Sequence, residues 1–331
     1  MTDDLVFLTG ATGFIGSRLA RQLTERGHRL RCFARPSSDT GPLHELGADV
    51  VTGELTDGGV LARAMHGARL AFHLAAIYDV GVVDASAMHR TNVEGTRAFL
   101  NAAGRARVAR AVYVSTTVAL GPAEDGMADP REAGRGPFRS AYEATKAEAH
   151  SLARAAQQRG LPLVIVCPAY VYGPGDEGPG GRFIRDLLRR RVPGLLRDPA
   201  WFSFVHVDDV VDGLLRAAEV GRIGECYVLG GEACSINDYA ARVAAHAGRR
   251  APRLRFPIRL ARLTGSALDR IAGLTGLQFP ISRENVDTVG RHRWVHPQAS
   301  AVRDLGWAPR PLSAGLPPTV DWFQGQLRRS R

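Results

Sequence analysis

Lysine is nearly missing from this chain. Of its 43 basic residues, Lys146 is the only lysine and all the others are arginines. Arginine can replace lysine at most surface positions, but not where a compact ammonium group is required. Lys146 is therefore a candidate functional residue before any motif is considered. Chance retention at a single position stays open as the alternative.

Disulfides, metal sites and membrane or secretory segments also have no support in the sequence. The four cysteines, Cys32, Cys167, Cys226 and Cys234, form no C-x-x-C pair and have no histidine at metal-ligand spacing. Cys32, Cys167 and Cys226 lie inside apolar runs, which predicts buried thiols in a reducing compartment, and we expect no bound metal. The N-terminus has no basic flank before an apolar core, and no stretch reaches the ~18 uninterrupted apolar residues of a membrane span. We therefore expect a cytoplasmic protein without membrane contacts.

A formal net charge of +10 raises the question of nucleic-acid binding. The arginines are scattered apart from short runs at 189–191, 249–250 and 328–329, and no aromatic residues interleave with a basic stripe. An arginine-rich composition and an anionic small-molecule cofactor account for the charge better. We predict no nucleic-acid partner.

Hydrophobic periodicity predicts an α/β fold. The chain has 331 residues, 45% of them hydrophobic, which suffices for one large domain and a smaller lobe. In the first half, continuous apolar runs alternate with helical patterns. The predicted strands are 5–8, 29–34, 48–51, 70–74, 111–115 and 163–166, and the predicted helices are 15–26, 60–65, 91–103 and 141–158. This alternation indicates a doubly wound parallel sheet, the Rossmann arrangement, over residues 1–173.

After Pro174 the regular alternation of apolar runs and helical patterns gives way to a glycine- and proline-rich stretch. This change predicts a smaller, interleaved substrate-binding lobe over 174–331, with some segments returning to the sheet. Within it, the arginine-dotted amphipathic stretch Pro252–Phe279 could contact a membrane, but lid or substrate-pocket helices are its expected use. His206, Asp208 and Asp209 resemble a metal cluster only in their residue types. A structural turn with a helix cap at Asp208 or Asp209 is the better interpretation.

A glycine-rich turn follows the first predicted strand. Gly10, Gly13 and Gly16 have the spacing G-x-x-G-x-x-G between a strand and a helix, which is the confirming context for a dinucleotide site. Gly10 permits the tight turn, Gly13 lets backbone N–H groups approach the pyrophosphate, and Gly16 lets the helix pack on the strand. The helix N-terminus then faces the phosphates. The other predicted contacts of this turn are Thr12, Phe14 and Ile15.

The end of the second strand bears on which dinucleotide binds. An NAD-preferring site usually carries an acidic residue there for the ribose 2′-hydroxyl, whereas this chain has Arg35. Arg35 suits a 2′-phosphate, so NADP(H) is the preferred prediction and NAD(H) the alternative. Arg35 could instead stack on the adenine or point to water.

A tyrosine and the only lysine stand four residues apart in a predicted helix. At this spacing Tyr142 and Lys146 share one face. An ammonium group beside a phenol favours the tyrosinate and brings the phenol towards useful acid/base strength. Ser115, Thr116 and Thr117 end the fifth strand, at the sheet edge where open α/β folds bind ligands. A hydroxyl there could bind a substrate oxygen alongside Tyr142.

These motifs together resemble the extended short-chain dehydrogenase/reductase family, also called NAD-dependent epimerase/dehydratase, over nearly the whole chain. Further similar elements are His73-Leu74-Ala75-Ala76, Asn92 through Thr96, Pro168 through Pro174, Phe204 through Asp209 and Leu305-Gly306-Trp307 with Trp322. The resemblance implies that Tyr142 is the acid/base, Lys146 its ribose-binding partner and Thr116 the catalytic hydroxyl, with Ser115 as the neighbouring option. It also implies cofactor contacts at Glu54, Leu55, Leu74, Ala75, Ala76, Asn92, Ser115, Pro168 and Val171.

Departures from the family's sugar-nucleotide enzymes narrow the expected reaction. Thr117-Val118 stand where sugar dehydratases have Asp-Glu, and Cys167 and Tyr170 stand where epimerases usually have Arg and Asn. The segment from Val166 to Ala169 is similar to the dihydroflavonol-4-reductase and 3β-hydroxysteroid-dehydrogenase branch, which acts on ketone and alcohol centres of apolar, often ring-shaped molecules. Tyr78, Thr117, Phe138 and Tyr170 are candidate substrate contacts, although each aromatic could equally be core.

Three functions are therefore compared. The first is a ketoreductase that uses NAD(P)H and Tyr142. The second is a nucleotide-sugar epimerase with tightly bound NAD. The third is a non-catalytic NADP-binding sensor, which the intact Thr116, Tyr142 and Lys146 argue against. The resemblance also suggests a homodimer.

Overall fold

A parallel sheet of seven strands forms the centre of the protein. The computed structural model describes residues 4–79, 84–123, 129–275 and 281–329. In chain order, the strands are β1 Leu5–Thr9, β2 Arg29–Ala34, β3 Asp49–Thr52, β4 Leu70–His73, β5 Arg110–Val114, β6 Leu163–Pro168, β7 Tyr170–Tyr172, β8 Leu195–Leu196, β9 Trp201–His206, β10 Cys226–Leu229, β11 Glu232–Ser235, β12 Arg255–Phe256 and β13 Arg293–Trp294. The central sheet has the order β10-β6-β5-β4-β1-β2-β3.

Helices cover this sheet and build the rest of the chain. They are α1 Phe14–Glu25, α2 Gly41–Glu45, α3 Gly58–Met65, α4 Ala85–His89, α5 Gly95–Ala106, α6 Ala141–Gln158, α7 Pro179–Leu188, α8 Val207–Glu219, α9 Ile236–His246, α10 Ile258–Thr275, α11 Arg283–Val289, α12 Ala299–Leu305 and α13 Leu312–Arg329. A π-helical turn, Arg90–Glu94, joins α4 to α5, and the 3₁₀ turn Thr117–Leu120 follows β5.

Alternate side chains of each central strand enter two separate cores. Val6 and Leu8 of β1 pack on one face with side chains of α1, α8 and α12. Phe7 points to the other face, with side chains of α3, α5 and α6. Because both faces are covered, the strands are apolar throughout, which is why the sequence shows continuous apolar runs. The predicted Rossmann α/β fold is confirmed.

The last strand of the sheet comes from the second half of the chain. β10 pairs in parallel with β6, so that Cys226 lies opposite Ile165 and Val228 opposite Cys167. The sequence interpretation expected returning segments but did not identify this strand. The boundary between 1–173 and 174–331 stays a prediction, since the two stretches share one sheet. The four cysteines are free and buried, as predicted for Cys32, Cys167 and Cys226; the burial of Cys234 was not predicted.

The second half of the chain has its own sheet and core. β9 pairs with β7, β11 and β13, and β8 pairs with β12. Helices α7, α9 and α13 bury apolar side chains against this sheet. The last residues of the predicted stretch Pro252–Phe279 lie outside the described part of the chain. No helix in the described ranges has the length and apolar character needed to cross a bilayer.

The start of α8 corrects one expectation from the sequence. The cap is His206, whose Nδ1 accepts from the backbone N–H of Asp208, and not Asp208 or Asp209. Both aspartates lie in the first helical turn and pair with arginines, Asp208 with Arg18 and Asp209 with Arg310. Elsewhere in the described residues, too, no group of three or more His, Cys, Asp or Glu side chains is arranged to hold a metal ion.

Candidate active site

The glycine turn after β1 forms a cradle that has no space for larger side chains. Gly10 has a φ of +76°, and a Cβ there would lie 2.6 Å from the backbone nitrogen of Ala75. A Cβ at Gly16 would lie 2.0 Å from the carbonyl oxygen of Gly10. Gly13 caps α1 without a side chain, and both Thr12 and Gly13 are exposed. Open backbone N–H groups at an uncapped helix start fit a pyrophosphate.

The other predicted residues of this turn have different surroundings. Phe14 is half-buried beneath the guanidinium of Arg18, whose carbon lies 5.0 Å from the ring centroid. Ile15 is half-buried and packs against the core formed with α1 and α8. Their side chains therefore support the turn, while their backbone lies at its open end.

The ends of β2 and β3 bring two candidate contacts for the adenosine half of the dinucleotide, Arg35 and Glu54, to the same edge of the sheet. β1, β2 and β3 pair in register, so Arg35, directly after β2, and Glu54, just after β3, follow adjacent strand ends. Both side chains are exposed. Leu55 is buried instead, and a Cβ at Gly95 would lie 2.4 Å from its Cδ2. Leu55 therefore packs between β3 and α5.

Asn92 holds the loop that follows β4. Leu74 and Ala75 are half-buried, Ala76 is exposed, and the loop then reaches Ile77. The Asn92 amide accepts from Ile77 N at 2.7 Å and donates to Ile77 O at 3.0 Å. It also donates to the Thr145 hydroxyl on α6 at 3.2 Å.

This buried side chain, at 1% exposure, makes its contacts within the protein rather than towards the open cradle. Asn92 lies in the π-helical turn, a feature that recurs at functional sites. Asn92 therefore joins the loop that follows β4, here called the cofactor loop, to α6, the helix that carries Tyr142.

The predicted catalytic residues meet beyond the end of β5. Thr116 follows the strand, is 8% exposed, and forms a side-chain hydrogen bond with Tyr142. Burial raises the pKa of Tyr142, and this hydrogen bond opposes the rise. The sequence interpretation expected Lys146 to lower the pKa of Tyr142. In the structure burial is the largest influence on this pKa, and the ammonium of Lys146 is directed to other oxygens.

Those oxygens belong to β5. Lys146 Nζ donates to the carbonyl of Val114 at 3.1 Å and to the hydroxyl of Tyr113 at 3.3 Å. The side chain is 3% exposed, and burial lowers its pKa from 10.5 to about 8. A charge kept in such a place requires firm partners. Tyr113 is one that the sequence interpretation missed.

A chain of buried hydroxyls and one imidazole continues from Tyr113 towards the glycine turn. Tyr113 hydrogen-bonds to Thr96, whose Oγ1 lies 3.1 Å from His73 Nε2. His73 Nδ1 lies 2.7 Å from the Thr9 hydroxyl, directly before Gly10. Burial lowers the pKa of His73 to about 3, so this ring is neutral at physiological pH. These contacts join β1, β4, β5 and α5 beneath the site.

Ser115 turns away from Tyr142. Its Oγ lies 2.9 Å from His150 Nδ1 in the core below α6, and it is 5% exposed. Of the two hydroxyls that the sequence offered, Thr116 is therefore the one beside the phenol. Pro168 is buried at the end of β6, and Val171 is half-buried against the core that contains Val205.

The four candidate substrate residues lie in different surroundings. Tyr78 is 49% exposed and its ring lies 4.7 Å from that of Tyr142, so it forms part of the site's surface. Tyr170 packs in an aromatic cluster with Phe204, at 4.8 Å between centroids. Thr117 is buried in the 3₁₀ turn. Phe138 is 42% exposed in the segment before α6, four residues ahead of Tyr142.

Asp176 is a site residue that the sequence interpretation missed. It is 6% exposed in the glycine- and proline-rich stretch 175–181, and its carboxylate accepts from Gly178 N at 2.8 Å. A Cβ on Gly180 would contact both its Oδ2, at 2.8 Å, and the Tyr170 hydroxyl, at 3.2 Å. Burial raises the pKa of Asp176. The adjacent acids Asp176 and Glu177 among glycines and prolines, shortly after the similar segment that ends at Pro174, are the signal that could have identified it.

The start of α6 fixes where Tyr142 stands. Ser140 caps the helix by accepting from Glu143 N at 2.9 Å, and the Glu143 carboxylate accepts from Arg139 N at 2.7 Å. Glu143 is 3% exposed and also pairs with the Arg139 guanidinium at 2.9 Å. This capping arrangement orders the helix two residues before the catalytic phenol.

Comparisons with known proteins identify the family of the chain. The sequence profile of the NAD dependent epimerase/dehydratase family matches residues 6–230. The chain belongs to this family. A Synechocystis sp. protein with the provisional name dihydroflavonol 4-reductase is 33% identical, over 97% of this chain and 95% of the relative. The 4-hydroxy-2-methyl-3-oxo-4-farnesyl-3,4-dihydroquinoline-1-oxide ketoreductase of Stigmatella aurantiaca is 31% identical over 92% of each chain.

A solved structure supports the same assignment. The crystal structure of gox2253 is similar with a TM-score of 0.81 and 34% identity, and the match covers 98% of this chain and 99% of the other. Reductases recur among the relatives of this member of the epimerase/dehydratase family. The chain is thus an NAD(P)-dependent oxidoreductase of the extended short-chain dehydrogenase/reductase type, as the sequence motifs indicated.

Proposed function

We propose that this enzyme is a ketoreductase that transfers hydride between NADP(H) and a ketone or secondary alcohol on an apolar or ring-shaped small molecule. The observation that carries the proposal is the hydrogen bond between Tyr142 and Thr116, at the sheet edge that also holds the glycine cradle. A phenol and a hydroxyl side by side can bind one carbonyl oxygen.

Tyr142, Thr116 and Lys146 would each have a separate role in the reaction. A bound nicotinamide supplies or accepts the hydride. Tyr142 donates its phenolic proton to the substrate oxygen during reduction, and Thr116 donates a hydrogen bond that orients the same oxygen. Because burial raises its pKa, Tyr142 is protonated at neutral pH, as a general acid must be. Lys146, whose ammonium is held by Val114 O and the Tyr113 hydroxyl rather than by Tyr142, would bind the ribose next to the nicotinamide.

The substrate class rests on the surroundings of Tyr142 and on the relatives. The half-exposed ring of Tyr78 lies against Tyr142, so an aromatic side chain adjoins the phenol. The Stigmatella relative is named as a ketoreductase of a farnesylated ring compound. Thr117, Phe138 and Tyr170 stay candidate contacts.

The cofactor preference, the assembly and the compartment are parts of the same proposal. Exposed Arg35, directly after β2, supports NADP(H) over NAD(H) because a guanidinium can pair with a 2′-phosphate. The four buried free thiols support a reducing, cytoplasmic location. We also propose a homodimer and a small molecule as the substrate, with no nucleic-acid partner.

A nucleotide analysis followed by a variant tests the function. Denatured protein should release no nucleotide or NADP, and the emptied protein should bind NADPH more tightly than NADH. With a ketone substrate, Tyr142→Phe should lower kcat by about 100-fold or more, because the acid is removed, and leave the Kd for NADPH nearly unchanged. Tyr227→Phe is the matched control, since Tyr227 bonds to Arg222 N far along the chain from the catalytic residues.

Two results would contradict the proposal. Stoichiometric, tightly held NAD released on denaturation would favour the nucleotide-sugar epimerase. Full ketone reduction by Tyr142→Phe would remove Tyr142 from the chemistry.

A further inference from the structure

Helix α10 has two apolar faces, of which the described part of the protein covers only one. Its inner face packs on α11 through Ile258 and Ala261, which meet Val286 and Val289. Gly265 is buried where a Cβ would lie 2.7 Å from the backbone of Arg283, so the two helices approach closely. This contact fixes which side of α10 faces outwards.

The outward face carries a continuous apolar stripe. Leu260 is 50% exposed, Leu263 71%, Ile271 44% and Leu274 88%. With exposed Ala267 between them, these residues have spacings of three and four, so they form one line along the helix. At 1.5 Å per residue the line is about 21 Å long. Leucines at such exposure usually mark an interaction surface when they lie together.

Arginines border this stripe. At 100° per residue, Arg259 and Arg270 lie along one edge of it, and both are exposed. Arg253 is also exposed, beside Leu254, which is 59% exposed just before the helix. Within the described ranges none of these three arginines has an acidic partner. Their charge is thus available to an external anion.

We propose that the α10 stripe, defined as Leu260, Leu263, Ala267, Ile271 and Leu274, docks the protein on an anionic lipid bilayer surface. The apolar side chains enter the boundary between headgroups and acyl chains while the arginines contact lipid phosphates. A second protein would be expected to cover a broad patch of about 800 Å². A line one side chain wide with a cationic border fits a lipid surface better. The inference rests on α10 alone and not on the proposed ketoreductase activity.

This proposal departs from the expectation of a protein without membrane contacts. The sequence showed that the stretch is amphipathic, but it could not show which apolar face neighbouring helices would cover. The overall charge of +10 favours an anionic surface further.

Vesicle sedimentation of the full chain tests the docking. Phosphatidylcholine vesicles with about 30% phosphatidylglycerol should bind the protein, pure phosphatidylcholine should bind it more weakly, and raised salt should release it. The double substitution Leu263→Ser and Leu274→Ser should lower the partition coefficient by about tenfold or more. Val220→Ser with Ile223→Ser is the matched control, since these residues are 59% and 53% exposed outside the stripe.

A second variant keeps the test decisive if the first one misfolds. Arg259→Gln with Arg270→Gln changes no packed side chain and should weaken binding to the anionic vesicles by about tenfold. Wild-type protein that stays in the supernatant with anionic vesicles would overturn the proposal. So would stripe variants that bind as well as the control, or stripe variants that change the oligomeric mass instead of vesicle binding, which would assign the stripe to a second copy.

Discussion

Lys146 brings a positive charge to a place where water hardly reaches. Its ammonium is fixed by Val114 O and the Tyr113 hydroxyl, and burial lowers its pKa to about 8. At pH 7 most molecules therefore keep the charge, and above pH 8 most lose it. Arginine at this position would stay charged but would be too large and too planar for the same two oxygens.

The activity should follow this titration. The charged form of Lys146 is the one proposed to bind the cofactor ribose, so we expect kcat/KM for ketone reduction to be constant below pH about 8 and to fall above it, by up to about tenfold per pH unit. Initial rates from pH 6 to about 10 measure this profile. Enzyme held at each pH and assayed again at pH 7 controls for inactivation. A profile that stays flat to pH about 10 would show that the charge of Lys146 is not required.

The site residues that lie close together in the sequence could be predicted. The residues that hold them in place through long-range contacts could not. Tyr142 and Lys146 are four apart on one helix, and Gly10 to Gly16 form one turn, so sequence distance alone brings each set together. Tyr113 reaches Lys146 across 33 residues, and His73 reaches Thr9 across 64. Such contacts depend on strand order and packing, which local patterns do not contain.

At the scale of elements, the π-helical turn Arg90–Glu94 joins the cofactor loop to α6, the helix that carries Tyr142 and Lys146. Asn92 is its central side chain, and the Thr145 hydroxyl that it contacts donates in turn to the carbonyl of Tyr142. The sequence interpretation predicted one regular helix over 91–103 and a cofactor contact at Asn92. A single extra residue in a helical turn leaves no mark in hydrophobic periodicity, so the turn could not be seen.

Replacing Asn92 should therefore loosen two elements at once. We expect Asn92→Ala to lower the free energy of unfolding by about 2–3 kcal/mol, because Ile77 N and O lose their buried partners. The KM for the dinucleotide should rise as well. Urea denaturation measures the first effect and steady-state kinetics the second. Asn101→Ala on the exposed face of α5 is the matched control and should change neither; equal loss of stability in both variants would refute the role of Asn92.

Element prediction succeeded where an element is long or buried on both sides. Helix α6 has the predicted bounds 141–158, and β2 the predicted bounds 29–34. β10 was missed although Cys226 to Leu229 is an apolar run, because four residues among turns resemble a buried loop end as much as a strand. Its place beside β6 is a property of the whole fold.

At the scale of the whole molecule, β10 ties the second half of the chain to the first. We expect a fragment of residues 1–173 to be insoluble or to lack a cooperative thermal transition, since it leaves the edge of β6 unpaired along Ile165 and Cys167. Co-expression with residues 174–331 should recover soluble material. Circular dichroism during heating is the measurement. A soluble fragment 1–173 with a sharp transition would instead establish it as an independent domain.

The scarcity of lysine gives the protein a built-in spectroscopic probe. Growth on lysine labelled with ¹⁵N at Nζ alone would place one side-chain signal in the whole NMR spectrum, and that signal would come from Lys146, beside Tyr113 and on the same helix face as Tyr142. Its chemical shift against pH would report the ammonium's titration directly. Its response to added nucleotides and ketones would report the state of the site, with no assignment problem and no engineered label.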